Sequence, residues 1–348
     1  MTALPSKAEA EAEKLLSDDN PTILSLYDTV LLPAENAASE ATDDDATFRV
    51  MFARVVGYLL LYPPSEQARA VVQSEVERCK DQRDPNQAVY DLGEMYVMDF
   101  ILPFYSHPDE RTPPPSRPCS RASYERIKET AYQGRANRPR NNVEAQPLAL
   151  IRDDDRCMVT HMRDSDHDSW YPERRGGLRD PQGSEKSLRD GATREDYLAA
   201  RLWPILERFG YGHIHDELRG DKVHRLENVL TLSSVLHWAF GNMIMWFEEV
   251  GDQADCYRVA VEDPKWNLAL FGDFGLPGPP PIQFVAHGAN LPLPNPTYLR
   301  IHAACCRVAN LSDAVKYLNY MLDSMPFYKP EAIDDVHRYV SYRLVHSA

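Results

Sequence analysis

The chain has 348 residues, 43% of them hydrophobic and 26% charged, which is enough apolar material to bury a sizeable core. Acidic residues outnumber basic ones by 53 to 38, and the resulting net charge of −15 argues against a protein whose whole surface attracts nucleic acid. The six cysteines include no C-x-x-C pair, which argues against a disulfide framework or a cysteine zinc site.

Neither export nor membrane insertion is indicated by the sequence. The first residues contain no apolar signal segment, and the longest apolar run, at 55–62, is far shorter than the roughly 20 residues that cross a bilayer. We therefore expect an intracellular protein, cytoplasmic or nuclear and not secreted, with no membrane partner.

The amino-terminal part divides into a charged segment and a helical unit. Residues 1–45 carry eleven Asp and Glu against two Lys, which predicts a mobile acidic tail. Apolar residues then recur at helical spacing from residue 47, and Pro63 ends the pattern. With two more predicted helices at 65–80 and 85–104, residues 46–110 form a helical N-terminal unit.

The sign of the charge reverses in the next segment. Residues 111–142 hold eight Lys and Arg against two Glu, together with Pro113-Pro114-Pro115. This composition predicts a basic Pro/Arg-rich connector, either a solvated linker or a segment through which the protein contacts nucleic acid.

Residues 251–348 are predicted to contain strands, a proline-rich loop and helices. Short strands are expected near 243–249 and 256–262, whereas seven prolines within 277–296 exclude a long helix there. Pro296 suits the first turn of a following helix, and Ser312 suits the cap of another.

Residues 143–250 carry the motifs that point to chemistry. Their sequences are Arg-Asp-Asp-Asp-Arg-Cys-Met-Val-Thr at 152–160, Arg-Leu-Glu-Asn-Val-Leu-Thr-Leu at 225–232 and Leu-His-Trp-Ala-Phe at 236–240. The first predicts a short strand after a helix end, the second an extended segment and the third a helix. With Ser233 as N-cap, His237 falls on the second helical turn.

These motifs resemble those of the HNH endonuclease-like proteins of mushroom-forming fungi. In that family an R-D-x-x-R-C-x-V-T-G strand precedes an A-H-I motif, and an R-L-E-N-x-L-T-L…L-H-x-x-F segment completes the site. The likeness extends over roughly residues 46–325 and includes Arg117-Pro-Cys-Ser and Trp203-Pro-Ile-Leu-Glu-Arg-Phe-Gly. It implies an α+β fold, a mostly helical protein around a ββα-metal (HNH) finger at 143–250, with a few short strands.

The resemblance also implies a metal-dependent nuclease that hydrolyses phosphodiester bonds. The leaving oxygen and the charged phosphorane need a divalent ion (Mg²⁺, Mn²⁺ or Zn²⁺), and an imidazole must accept the proton of the attacking water. The implied roles are His237 and Asp166 as metal ligands, His167 as general base and Asn228 as the residue that orients the loop. Phe240 would pack the helix against the hairpin.

The sequence departs from the family at the first histidine. His161 stands where relatives have Gly, and no A-H-I follows; Asp166-His167 is the best substitute, and His161 is a weaker one. Asp153 and its two acidic neighbours are interpreted as a solvated helix end. His213 and His215 imitate the missing motif, but residues at i and i+2 face opposite sides of a strand. The alternative function is a catalytically inactive HNH-fold interaction protein.

Overall fold

The computed structural model describes residues 2–13, 15, 21–105, 121–162, 171–173, 194–251, 253–272, 279–287 and 289–323. Over these ranges the protein is mostly helical and has two small antiparallel sheets, so the α+β class is confirmed at that level. None of the helices in the described ranges is long and apolar enough to cross a membrane.

The helices are α1 (Lys7–Ala12), α2 (Pro21–Leu26), α3 (Leu32–Glu40), α4 (Ala46–Leu61), α5 (Glu66–Lys80), α6 (Pro85–Tyr96), α7 (Arg121–Tyr132), α8 (Asn142–Arg152), α9 (Arg194–Leu206), α10 (Gly212–Leu218), α11 (Ser234–Gly241), α12 (Lys265–Phe271), α13 (Pro296–Ser312) and α14 (Ala314–Asp323). The strands are β1 (Tyr171–Glu173), β2 (Leu230–Leu232), β3 (Met245–Glu249), β4 (Cys256–Val261) and β5 (Ile282–Gln283). β1 pairs with β2, and the second sheet has the order β3-β4-β5.

The predicted N-terminal helices are present, and α4 is their centre. Its side chains are buried on nearly every side, as expected for a helix in the middle of a core. Ser65 and Asp84 cap the next two helices, since their side chains accept hydrogen bonds from Ala68 N (3.0 Å) and Gln87 N (3.1 Å). After α6 the helical path continues through a π-helical turn and a short 3₁₀ turn that ends at Phe104.

Residues 21–40 belong to the core, so the prediction of a mobile acidic tail was wrong for this stretch. Tyr27 and Leu31 have no exposed surface. Glu35 is buried, forms an ion pair with Arg54 and accepts a hydrogen bond from the backbone N–H of Leu4. The charge count was misleading because the apolar residues in this stretch share one face, which α4 and α6 cover.

Part of the predicted connector is also folded. Residues 121–132 form α7, which packs on α8 through Ile127 and Ala131. Residues 106–120, where the proline run lies, are outside the described residues. Helix–helix packing, which composition does not report, therefore makes at least the second half of this basic segment a structured element.

Helix α13 joins the helical unit to the second sheet. It packs on both α4 and β3, and the expected strands near 243–249 and 256–262 are β3 and β4. Pro296 is in its first turn, and Ser312 Oγ accepts a hydrogen bond from Ala314 N at the start of α14, as expected. A second hydrophobic cluster, built from β2, α11, β3, β4 and α12, lies against the same helix through Leu299.

Candidate functional site

The candidate site is built on β1, β2 and α11, which form a strand–strand–helix arrangement. The antiparallel register pairs Tyr171 with Leu232 and Glu173 with Leu230. The amino end of β1 therefore lies beside the end of β2 from which the chain passes through Ser233 into α11. This places the helix that carries His237 at the same end of the β1–β2 pair as the start of β1.

His237 lies on the inward face of α11. The helix begins after Ser233, whose carbonyl oxygen accepts the His237 N–H at 2.8 Å. His237 is 8% exposed, and its neighbour Leu236 is fully buried, whereas Trp238 on the other face is 41% exposed. The second-turn position that was predicted for this histidine is thus present, and its side chain is directed toward protein rather than solvent.

Asn228 holds the loop that enters β2. Its side-chain Nδ2 donates to the Val223 carbonyl at 2.9 Å, and its backbone N–H donates to the Arg225 carbonyl at 2.9 Å. The residue is buried, so both hydrogen bonds are shielded from water. These contacts are suited to orienting a loop, the role that the resemblance implies for Asn228.

A buried ion pair also contacts this loop. Arg152, which is fully buried, donates to both carboxylate oxygens of Asp153 at 2.8 Å and to the Leu226 and Val229 carbonyls at 2.9 Å. Thr231 donates its hydroxyl to the same carboxylate. The end of α8 is thereby tied to residues on both sides of Asn228.

The interpretation of Asp153 as part of a solvated helix end was therefore wrong, because its carboxylate is buried and fully engaged. The signal that would have identified the pair is an Arg-Asp step directly after the apolar end of a helix. Residues 152–160 also do not form the expected strand: Asp154 and Asp155 adopt positive φ angles of 54° and 55°, and a turn follows. One backbone hydrogen bond joins this segment to β2, from Met158 N to Thr231 O at 2.9 Å, in addition to the side-chain hydrogen bond from Thr231 to Asp153.

Of the other residues predicted for the site, Asp166, His167 and His161, only His161 lies within the described residues. Asp166 and His167 lie outside the described residues; in the sequence they precede Tyr171, the first residue of β1, by five and four positions. His161 is exposed in a left-handed conformation with φ of 54°, and its carbonyl accepts from Arg156 at 3.0 Å. The structure therefore brings Asn228 and His237 to the two ends of β2 and leaves His161 in an exposed turn.

His213 and His215 lie on α10, in exposed positions, and the His215 ring contacts Trp203 with 5.1 Å between ring centroids. They are on a helix rather than a strand of the hairpin.

Phe240 packs in a direction that the sequence did not indicate. Its ring stacks on the imidazole of His302 in α13, with centroids 3.9 Å apart, and approaches Phe247 of β3 at 5.7 Å. Complete burial lowers the pKa of His302 to about 3, against a weaker opposing effect of a hydrogen bond with the Phe240 backbone. His302 is therefore neutral at physiological pH, and it helps to seat α11 on the core.

His237 is the one predicted metal ligand that lies within the described residues. Within the described residues, no three or more His, Cys, Asp and Glu side chains are grouped so that they could hold an ion. Of the predicted ligands, His237 is described and Asp166 is outside that part of the chain. The described side chains thus do not form a metal site by themselves.

Comparisons with protein-family models, curated proteins and solved structures find no match to this chain.

Proposed function

We propose that this protein is an HNH-type metal-dependent nuclease that hydrolyses phosphodiester bonds. The observation that carries the proposal is the placement of Asn228 and His237 around β2. One side chain holds the entry loop, and the other lies on the inward face of the helix that follows. The strand that pairs with β2 is β1 and not the expected segment 152–160, whereas Asn228 and His237 keep the order of Asn followed by a helical His that the resemblance implies.

The remaining two residues of the proposed site are Asp166 and His167. In the sequence they precede β1 by five and four positions, and a segment of that length spans at most about 14–18 Å. The amino end of β1 is at the α11 end of the β1–β2 pair. If a divalent ion binds, Asp166 and His237 would hold it and it would supply charge stabilisation at the phosphate, and His167 would accept the proton of the attacking water.

The test is cleavage of plasmid DNA and of a structured RNA by the full chain with Mg²⁺, Mn²⁺ or Zn²⁺. We expect activity with at least one ion and its loss, by about 100-fold or more, in His167→Ala and His237→Ala. His213→Ala is the matched control, since it removes an exposed histidine from α10. Because His237 is buried, His237→Asn and the melting temperature of each variant separate loss of chemistry from loss of folding.

Two results would defeat this proposal. One is a wild-type protein that cleaves neither substrate with any of the three ions. The other is a folded His237→Ala variant that cleaves as fast as the wild type.

A second candidate function, an inactive HNH-fold interaction protein, is favoured by a specific surface. Val235 and Trp238 on α11 are 50% and 41% exposed, and Leu268 on α12 is 77% exposed. Trp266 lies 5.9 Å from Trp238 between ring centroids. Neighbouring exposed apolar side chains of this kind are typical of protein–protein contacts. Calorimetric titration distinguishes the two functions, because the inactive protein is expected to bind divalent ions no better than millimolar.

A further inference from the structure

A concave basic surface lies beside the candidate site. It is a groove of about 750 Å³ between α7, the 133–141 loop and the first turns of α8, which we call the arginine groove. Its charged lining residues are Arg126, Arg135, Arg138, Arg140 and Glu144. Four positive charges against one negative charge, in a chain of net charge −15, make it a local exception to the acidic whole.

The backbone that presents these arginines is fixed by internal contacts. Gly134, with a positive φ of 66°, ends α7, and the Arg135 N–H returns to the Thr130 carbonyl at 3.0 Å. Pro139 is buried, and Arg138 donates to the Lys222 carbonyl at 3.1 Å. A loop held in this way loses little conformational entropy when a ligand binds.

The beginning of α8 completes the groove. Asn141 caps the helix through a hydrogen bond from Glu144 N (3.0 Å), and Glu144 in turn accepts from Arg140 N (2.9 Å). The Arg140 guanidinium lies 3.8 Å from the Glu144 carboxylate, but it is 76% exposed and its charge is only loosely compensated. Arg126, Arg135 and Arg138 are likewise exposed.

The groove leads toward the loop of Asn228. A second cavity of about 550 Å³ shares Arg138 and Leu148 with it and is also lined by Leu226 and Glu227, the two residues before Asn228. The charge is balanced here, since Asp216, Glu217 and Glu227 line this second cavity together with Arg138, Lys222 and Arg225. An anion is therefore favoured more strongly in the arginine groove than beyond Arg138.

We infer that the arginine groove binds the phosphate backbone of a nucleic acid. Up to four successive phosphates would be contacted, by Arg126, Arg135, Arg138 and Arg140. The choice of nucleic acid as the polyanion rests on the proposed function, and the groove adds where the substrate is held. Guanidinium groups pair well with phosphate oxygens, and contacts of this kind position a nucleic acid without reading its sequence.

The test measures binding without cleavage. A fluorescent 20-base-pair duplex is titrated with the full chain in EDTA, and anisotropy is followed from 50 to 400 mM salt. Four phosphate contacts predict that log K falls with log salt with a slope of about −3.6. In the triple variant Arg126→Ala/Arg135→Ala/Arg140→Ala the slope becomes about −0.9, which corresponds to binding about 500-fold weaker at 0.1 M salt if the two affinities converge at 1 M.

The control has the same change of net charge. Arg78, Arg83 and Arg258 are exposed and do not line the groove, so their replacement by Ala should leave the slope within experimental error of the wild type. Glu144→Gln gives a change in the opposite direction, because it keeps the helix-capping geometry and removes the groove's one acidic lining residue. We expect it to bind the duplex severalfold more tightly.

Several outcomes overturn the inference. The first is that the wild type does not bind the duplex at 50 mM salt. The second is that the groove triple variant and the control triple variant lose the same amount of binding affinity. The third is that 10 mM inorganic phosphate at constant ionic strength competes completely with the duplex. The last result would indicate a small-anion site instead.

Cleavage assays separate this inference from the nuclease proposal. Groove-dependent binding with no cleavage under any ion supports the groove and overturns the nuclease. Cleavage that is lost in His237→Ala but unchanged in affinity and rate in the groove triple variant supports the nuclease and overturns the groove.

Discussion

The clearest test of how the site is held is the replacement of Arg152 by Met. The guanidinium has no exposed surface and makes two hydrogen bonds to Asp153 at 2.8 Å. Three more reach the carbonyls of Leu226 (2.9 Å), Val229 (2.9 Å) and Pro292 (3.2 Å). Methionine fills most of the same space and satisfies none of these acceptors.

The expected loss of stability follows from the buried acceptors that the substitution leaves without a donor. Removing one partner of a buried ion pair costs about 3–5 kcal/mol, because the other charge stays buried without compensation. Each buried carbonyl that loses its donor adds about 1–3 kcal/mol before relaxation and water entry reduce it. We therefore expect Arg152→Met to lower the free energy of unfolding by at least about 4 kcal/mol, a large share of the roughly 5–15 kcal/mol of a typical domain.

Urea unfolding followed by circular dichroism measures this loss. Arg152→Met, Asp153→Asn and the double variant form a cycle, and we expect a coupling energy of about 2–3 kcal/mol between the two side chains. Arg140→Met is the matched control, because that side chain is 76% exposed and its loss should change stability by less than about 0.5 kcal/mol. If Arg152→Met does not fold, Arg152→Lys provides three donors for the five acceptors and a smaller loss of about 2 kcal/mol.

Two results would contradict this expectation. One is an Arg152→Met protein whose free energy of unfolding is within about 1 kcal/mol of the wild-type value, which is the effect of an ordinary single substitution. The other is a double variant whose loss of stability equals the sum of the two single losses. Either result would mean that water or neighbouring groups satisfy Asp153 and the three carbonyls without the guanidinium.

Three further predictions concern the core. Burial lowers the pKa of His302 to about 3, below the ordinary value of 6.5, so the unfolded chain binds more protons between pH 3 and pH 6.5. The contribution of the neutral His302 to the free energy of unfolding is therefore fully present above about pH 6.5 and is lost as the pH falls toward 3. Between pH 6.5 and pH 5 this histidine should account for about 2 kcal/mol of lost stability, and His302→Met should remove that share of the slope in unfolding curves measured across pH. Gly57→Ala places a Cβ 2.5 Å from the Leu4 side chain; we expect a loss of about 1 kcal/mol in melting experiments, which Leu4→Ala in the same background relieves. Gly93→Ala places its Cβ 2.2 Å from the backbone oxygen of Phe52, and because no side chain is available to move, a loss of about 3 kcal/mol or more is expected, with Phe52→Ala giving no rescue; a tolerated Gly93→Ala protein would show that α4 and α6 can separate at this contact.

Local patterns in the sequence were enough to locate several of the elements. The helices α4, α5, α6 and α13 follow from apolar spacing, capping residues and first-turn prolines, because helix formation is decided within a few residues of chain. The strands β3 and β4 follow from short apolar runs between turns for the same reason.

The same local information identified Asn228 and His237 as residues at the two ends of one short strand. Their roles in catalysis stay predictions. Motif spacing indicated where they lie along the chain, and the pairing of β1 with β2 then located them in space.

Burial of charge was decided only by tertiary structure. Asp153 reads as one carboxylate in an acidic run, and Glu35 reads as part of an acidic tail, yet both carboxylates are buried. The cost of removing such a charge from water depends on partners far along the chain, here the Thr231 hydroxyl for Asp153 and the Arg54 side chain for Glu35. The arginine groove has the same origin: eight basic residues were visible in the sequence, but only the packing of α7 on α8 arranges four of them around one concave surface.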